Sequence, residues 1–283
     1  MKKNAKKLPV PDPVARELRW FGWTDKGRVR ANNEDSFLAL RFDAQEVHRL
    51  GRLGEAPLAT TDFAFAVCDG MGGAKAGEFA SRIAVEKITT LLPRSFQQSA
   101  KGLDAGAGDV LTELFTQVHK ALAYVGNSYE ECRGMETTMT LGWFSPKWLY
   151  FAHVGDSRLY YLPAAGGIRQ LSHDDTYVGW LFRNGQINER EARTHPRRHV
   201  LQKSLGGSNQ FVDPQLGAVG LEPGDRFLLC SDGLTDGLYN HAIEDVFRNP
   251  TSADGTNPAQ RLVLDSVAAS GRDNTTALVI EVR

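Results

Sequence analysis

Cysteine is scarce: the 283-residue chain has three, Cys68, Cys132 and Cys230, and none forms a C-x-x-C pair. Such a set offers no disulfide framework, and a reducing, cytoplasmic setting is expected. Cys68 and Cys230 each close an apolar run, which predicts small buried residues. Long apolar runs are missing too. FAFAVC and WLYFAHV fall far short of the roughly 20 residues that cross a bilayer, so no membrane span is expected. The formal net charge is only −1, which gives no global case for nucleic acid or an anionic membrane as partner.

Other signatures are absent or incomplete. The first residues, MKKNAKKLPVPDP, carry four lysines but no apolar stretch after them, so a secretory signal is not expected. Residues 1–16 read instead as a basic, flexible tail. His195 and His199 have i,i+4 spacing, but Pro196, Arg197 and Arg198 lie between them. A structural or peptide-contacting role is favoured there over metal ligation. In GMGGAKAG, Ala74, Lys75 and Ala76 follow Gly73, so no glycine completes G-x-G-x-x-G, and the P-loop pattern is also lacking.

What is present is an ordinary globular composition, 41% hydrophobic and 24% charged. Strand patterns occur at 17–24, 36–42, 62–68, 137–144, 148–154, 157–163, 226–231 and 275–282. Helical patterns occur at 76–92, 109–125, 188–193 and 257–269, and SFQQSAKGLDAGAG and NPTSADGT read as surface loops. Helices do not alternate regularly with strands, which excludes a doubly wound parallel sheet. An α+β arrangement of antiparallel sheets covered by helices fits better. No repeat or linker divides the chain, so residues 17–283 read as one domain.

The most informative feature is where the aspartates fall. Asp69 ends FAFAVC, Asp232 ends RFLLCS, Asp156 ends WLYFAHVG, and Asp273 stands just before TTALVIEV. Any one of them could simply start a turn or cap a helix. Four together, with Glu34 and Asp35 before SFLALRF, would repel one another strongly at a single sheet edge. Divalent cations would relieve that repulsion, and an all-oxygen donor set suits Mg²⁺ or Mn²⁺. Asp69 argues against direct phosphate cradling by the glycine turn. With a metal present the sign reverses, and the Gly70 carbonyl becomes a natural further ligand. Arg30 precedes Glu34 by four residues and is either a salt-bridge partner or a clamp on metal-bound phosphate.

The motifs RANNED (30–35), DGMGG (69–73), GDSR (155–158), SDGL (231–234) and RDN (272–274) occur in an order that resembles the bacterial branch of the metal-dependent type-2C (PPM) Ser/Thr protein phosphatases. The resemblance runs from about Arg19 to the C-terminus. It implies a central sandwich of two antiparallel β-sheets flanked by helices, with a dinuclear metal centre at one end. Asp69 would bridge two Mn²⁺ or Mg²⁺ ions, the Gly70 carbonyl would bind one, and Asp232 and Asp273 would hold the other. Glu34 and Asp35 would act through metal-bound waters, Arg30 would bind the substrate phosphate, and Asp156 would belong to a weaker third site. The stretch 171–207 resembles the family's variable flap, whose placement points to substrate choice.

The implied activity is hydrolysis of phosphoserine and phosphothreonine by in-line attack of a metal-bridging water or hydroxide. Two cations roughly 3.5–4 Å apart would orient that water and neutralise phosphoryl charge. Phosphorylated proteins made by a Ser/Thr kinase would be the substrates, and a monomer is expected. The alternatives are a catalytically weak phosphoprotein- or kinase-binding module and a hydrolase of small phosphoesters. Three departures stand out. Met71 occupies the position of a histidine discussed as general acid in animal members. Glu136 replaces a usual glycine, and 43–60 is an extra segment.

Overall fold

The computed structural model describes residues 16–72, 76–100, 106–208, 211–249 and 255–283. The basic tail up to residue 15, and Gly73 and Lys75 of the glycine turn, lie outside the described residues. The chain opens with β1 (Glu17–Asp25) and β2 (Asp35–Phe42), passes through the short β3 (Val47–Arg49) and β4 (Leu53–Pro57), and reaches β5 (Asp62–Met71). Two long helices follow, α1 (Ala76–Ala100) and α2 (Ala107–Ser128). Next come β6 (Glu136–Thr137), β7 (Met139–Phe144), β8 (Trp148–Val154), β9 (Arg158–Leu162) and β10 (Arg169–Gln170). Helices α3 (Tyr177–Arg183) and α4 (Glu189–Thr194) precede β11 (Leu205–Gly206), β12 (Gln215–Gly220) and β13 (Arg226–Cys230). Helices α5 (Asp232–Gly237), α6 (Asn240–Arg248) and α7 (Pro258–Ala269) lead into β14 (Thr275–Val282).

One sheet has the order β10-β9-β13-β14-β1-β4. The other runs β11-β6-β5-β7-β8-β12, with β2 also paired to β5 and β3 to β2. Neighbouring strands pair antiparallel throughout. This is the expected α+β sandwich. The eight strand patterns read from the sequence all form strands. The expected loop after the first helix is shorter than predicted, because α1 continues to Ala100.

The burial pattern explains why FAFAVC is apolar throughout. In a strand, successive side chains face opposite sides. Phe63, Phe65 and Val67 face the other sheet and join Trp20, Phe144, Phe227 and Ile280 in the sandwich core. Ala64, Ala66 and Cys68 face outward against Ala80, Ala84 and Ile88 of α1. Small residues on both sides let that helix lie close to the sheet. Helix α2 buries Leu114, Phe115, Val118 and Leu122 along one stripe of the same layer. On the opposite face, Ile243, Phe247, Leu262 and Val263 of α6 and α7 cover the first sheet. The order is therefore helix, sheet, sheet, helix.

The extra segment 43–60 supplies β3 and β4. Strand β3 extends one sheet along β2 and β4 extends the other along β1. Between them, the Trp20 indole N–H donates to the Gly51 carbonyl at 3.0 Å, and the Gly22 N–H donates to the Arg52 carbonyl. The insertion thus ties an edge of each sheet together.

Candidate metal centre

Antiparallel pairing puts the start of one strand beside the end of its neighbour. Asp35 at the start of β2 lies opposite Asp69 near the end of β5. Likewise β14 begins beside the end of β13, which brings Asp273 toward Asp232. A cavity of about 480 Å³ opens at this end of the sandwich. Arg30, Glu34, Asp69 and Gly70 line it, together with Asp156, Asp232 and Asp273. Of the predicted site residues, only Asp35 does not. It is 8% exposed and stands behind the wall.

Each acid has a built support. The Asp69 backbone is fixed on both sides: its carbonyl accepts from the Thr138 N–H at 2.8 Å and the Thr137 hydroxyl at 2.9 Å. Its N–H donates to Thr138 Oγ1 at 3.0 Å, and that hydroxyl shares a hydrogen bond with Ser157 of the GDSR turn. Gly70 and Gly77 meet where the turn enters α1; a Cβ on Gly70 would lie 1.9 Å from the Gly77 carbonyl oxygen. The glycine at 70 is therefore required by space. Asn274 anchors the RANNED loop. Its amide accepts from the Glu34 N–H at 2.8 Å and donates to the carbonyls of Lys26 and Asn32. Asp35 Oδ2 accepts from Ser231 Oγ at 2.7 Å and Thr276 Oγ1 at 2.6 Å.

The site concentrates negative charge. Burial pushes the Asp69 carboxyl well above its ordinary range, and Asp35, Asp232, Asp156 and Asp273 push it further. Asp156 is raised in the same way, first by burial and then by Asp232. Burial raises Asp35 to about 7 against the pull of its two hydroxyl donors, and burial also raises Glu34. Two carboxylate oxygens, Asp35 Oδ1 and Asp232 Oδ1, are buried with no hydrogen-bond donor. Such orphaned oxygens are costly unless a cation meets them. This oxygen-rich donor set fits hard divalent ions. Arg30 is half-exposed on the rim and binds Asp273 Oδ2 at 2.6 Å, so its salt bridge is present and its outer face is free to reach the cavity.

Several residues were illegible in sequence. Asn274 and Ser231 were visible only as letters of RDN and SDGL, and Thr276 and Thr138 as ordinary strand residues. Buried His153 donates from Nε2 toward the carbonyls of Gly155 and His173 at 3.0 and 3.1 Å, while Nδ1 accepts from Thr140. It fixes the GDSR turn to the root of the 171–207 segment. His195 and His199 do not act as a pair. His195 accepts from the Arg197 N–H within its own turn. His199 reaches the cavity, with Nδ1 3.1 Å from Asp232 Oδ2 and Nε2 3.4 Å from Asp236 Oδ2. Met71 lines the cavity with a thioether, which supplies no titratable proton. Opposite it on β6, Glu136 accepts a hydrogen bond from Ser204 Oγ at 2.7 Å. Glu136 thus holds the far root of the segment that His153 holds at the near one.

The family model for protein phosphatase 2C matches residues 56–263. The chain belongs to this family. The matched range contains Asp69, Gly70, Asp156 and Asp232, while Arg30, Glu34, Asp35 and Asp273 lie outside it. This 2C-type chain is 34% identical over 268 residues to the serine/threonine protein phosphatase PstP of Mycobacterium tuberculosis. That match covers 94% of the chain but only 45% of PstP. It is 30% identical over 259 residues to the serine/threonine phosphatase stp of Listeria welshimeri, covering 91% of the chain and 93% of that protein. Among solved structures, the catalytic domain of PstP in complex with 2 manganese ions superposes with a TM-score of 0.72 at 31% identity, covering 94% of this chain and 99% of that one.

Proposed function

We propose that this chain is a metal-dependent protein serine/threonine phosphatase. The observation that carries the reading is the convergence of Asp69, Asp156, Asp232 and Asp273 on one cavity, with two buried carboxylate oxygens lacking donors and Arg30 on the rim. In this reading Asp69, the Gly70 carbonyl, Asp232 and Asp273 hold two divalent cations, Mn²⁺ or Mg²⁺. Asp156 contributes to a weaker third position. When bound, such cations lower the pKa of water and neutralise charge on a phosphoryl group.

The chain's own residues do the rest. Arg30 binds the substrate phosphate with the guanidinium face not engaged by Asp273. Glu34 faces the cavity and orients water there. Asp35 stands behind it, so its contribution passes through Asp69, Ser231 and Thr276 or through a water at its free Oδ1. The Thr137–Thr138 and Asn274 hydrogen bonds keep the acids in place before substrate arrives, which is the preorganisation that electrostatic catalysis needs. No serine or cysteine nucleophile is required.

Residues 17–283 act as one catalytic domain, with 171–207 as a flap beside the cavity. The substrates are phosphorylated proteins produced by a Ser/Thr kinase, and the protein works as a cytoplasmic monomer. No helix among the described residues is long and apolar enough to cross a membrane. Hydrolysis of a phosphothreonine peptide tests the reading. Turnover is expected with Mn²⁺ and is lost with chelator or with Asp232→Asn. Turnover that survives both would overturn it, and turnover of nucleotides but not phosphopeptides would move the substrate class to small phosphoesters.

A further inference from the structure

We propose that the flap itself supplies a metal ligand: His199 Nδ1 completes a cation site with Asp156 and Asp232. The inference rests on the phosphatase reading and deepens it, because it adds a nitrogen donor to a centre otherwise made of oxygen. One donor atom from each of the three residues lies within 4.8 Å of the others. His199 Nδ1 and Asp232 Oδ2 are 3.1 Å apart, which is the separation of two adjacent donors on one ion with bonds of about 2.1 Å.

Three independent features aim at that point. Asp156 is 8% exposed, and its carboxylate takes no hydrogen bond from any other described residue. The nearby Arg158 does not neutralise it directly, since its guanidinium is spent on Asp174 at 2.7–3.2 Å. Asp232 Oδ1 is buried without a donor, while Oδ2 already faces the imidazole. His199 is also oriented from behind, because its Nε2 faces Asp236 Oδ2 at 3.4 Å. A carboxylate on the far nitrogen fixes the ring and leaves Nδ1 to turn its lone pair on a metal. Arg198 contacts the same Asp236, and Arg193 donates to the carbonyls of Asp236 and Leu238, so this part of the flap is held down on α5.

Two consequences follow. An imidazole donor shifts the preference of this position from Mg²⁺ toward Mn²⁺ and other transition ions. Occupancy also fastens the flap to the centre, so metal binding and flap position become linked.

Pulsed EPR of the full chain loaded with one to three equivalents of Mn²⁺ tests this, with calorimetry giving the stoichiometry. A ¹⁴N coupling to Mn²⁺ is expected in the parent protein and is lost in His199→Ala and His199→Gln. Affinity at the weakest site should fall tenfold or more in both, while the two tighter sites are retained. A bound third Mn²⁺ without ¹⁴N coupling, or a coupling unchanged in both variants, overturns the proposal. So does a third site lost in Asp156→Asn but unaffected at His199. Absence of any Mn²⁺ binding in the parent protein defeats the underlying phosphatase reading instead. Circular dichroism of each variant establishes that the fold is intact, and the partly exposed ring of His199 makes either substitution compatible with it.

Discussion

Asp62 lies at the opposite end of β5 from Asp69 and is buried beside Trp143, whose indole N–H donates to it at 2.7 Å. Burial raises its carboxyl to about 6, and the indole only partly offsets that. Because the folded value is above the unfolded one, its contribution to stability is complete below about pH 4 and is lost as pH rises through 6. Asp62→Asn keeps an acceptor for the indole and removes the charge. Thermal unfolding should therefore show the variant more stable by roughly 1–3 kcal/mol at pH 8, with the difference gone near pH 4. A variant less stable at every pH would show that the charge itself is needed. The glycine turn marks Asp69 in the sequence, whereas nothing marks Asp62, which merely begins the apolar run. The strand period puts the two on opposite faces of β5, and only the tertiary surroundings show Asp62 to be a penalised core carboxylate and Asp69 to be gathered with other acids.

Elements carry the departures that the motifs raised. Glu136 occupies a two-residue strand paired on one side with the DGMGG turn and on the other with β11 at the end of the 171–207 segment. Its carboxylate receives the Ser204 hydroxyl and packs over Gly207, where a Cβ would lie 1.9 Å from Oε1. Hydrogen bonds to charged groups are worth about 1.5–3 kcal/mol when buried and less when partly exposed. Glu136→Ala should cost about 1 kcal/mol and loosen the C-terminal root of the 171–207 segment. Limited proteolysis would then cut within 195–204 several-fold faster than in the parent, with the core fragment unchanged. Equal cleavage rates would assign Glu136 to the strand alone. The insertion 43–60 is another element-scale result. Its composition gave no assignment, because β3 is exposed throughout and β4 turns only Gly54 and Ala56 inward, residues too small to read as an apolar face.

Across the whole molecule the dominant tension is electrostatic. Burial and mutual repulsion raise the carboxyls of Asp35, Asp69 and Asp156, that of Asp35 to about 7. Their sign is that of Asp62: stability present at low pH is lost as pH rises and the carboxyls ionise against one another. A cation that binds the folded state restores it by mass action. Unfolding monitored with saturating Mn²⁺ and with chelator should show a gain of several degrees at pH 8 that shrinks below pH 6. A gain independent of pH would mean that the metal binds away from these acids.

The chemistry on offer is legible along the chain: strands ending in carboxylates, a glycine turn directly after Asp69, and motifs in a family's order. Those are local properties, fixed by strand period and by what a turn can hold. Tertiary structure decided which groups meet. Asp35 is held by Ser231 and Thr276, 196 and 241 residues away, and so stands behind the cavity rather than in it. His199 looked like half of an i,i+4 pair, yet the segment carrying it folds back over α5 and delivers it to Asp232, 33 residues on. Antiparallel register and that fold-back are long-range contacts, and no spacing along the chain encodes them.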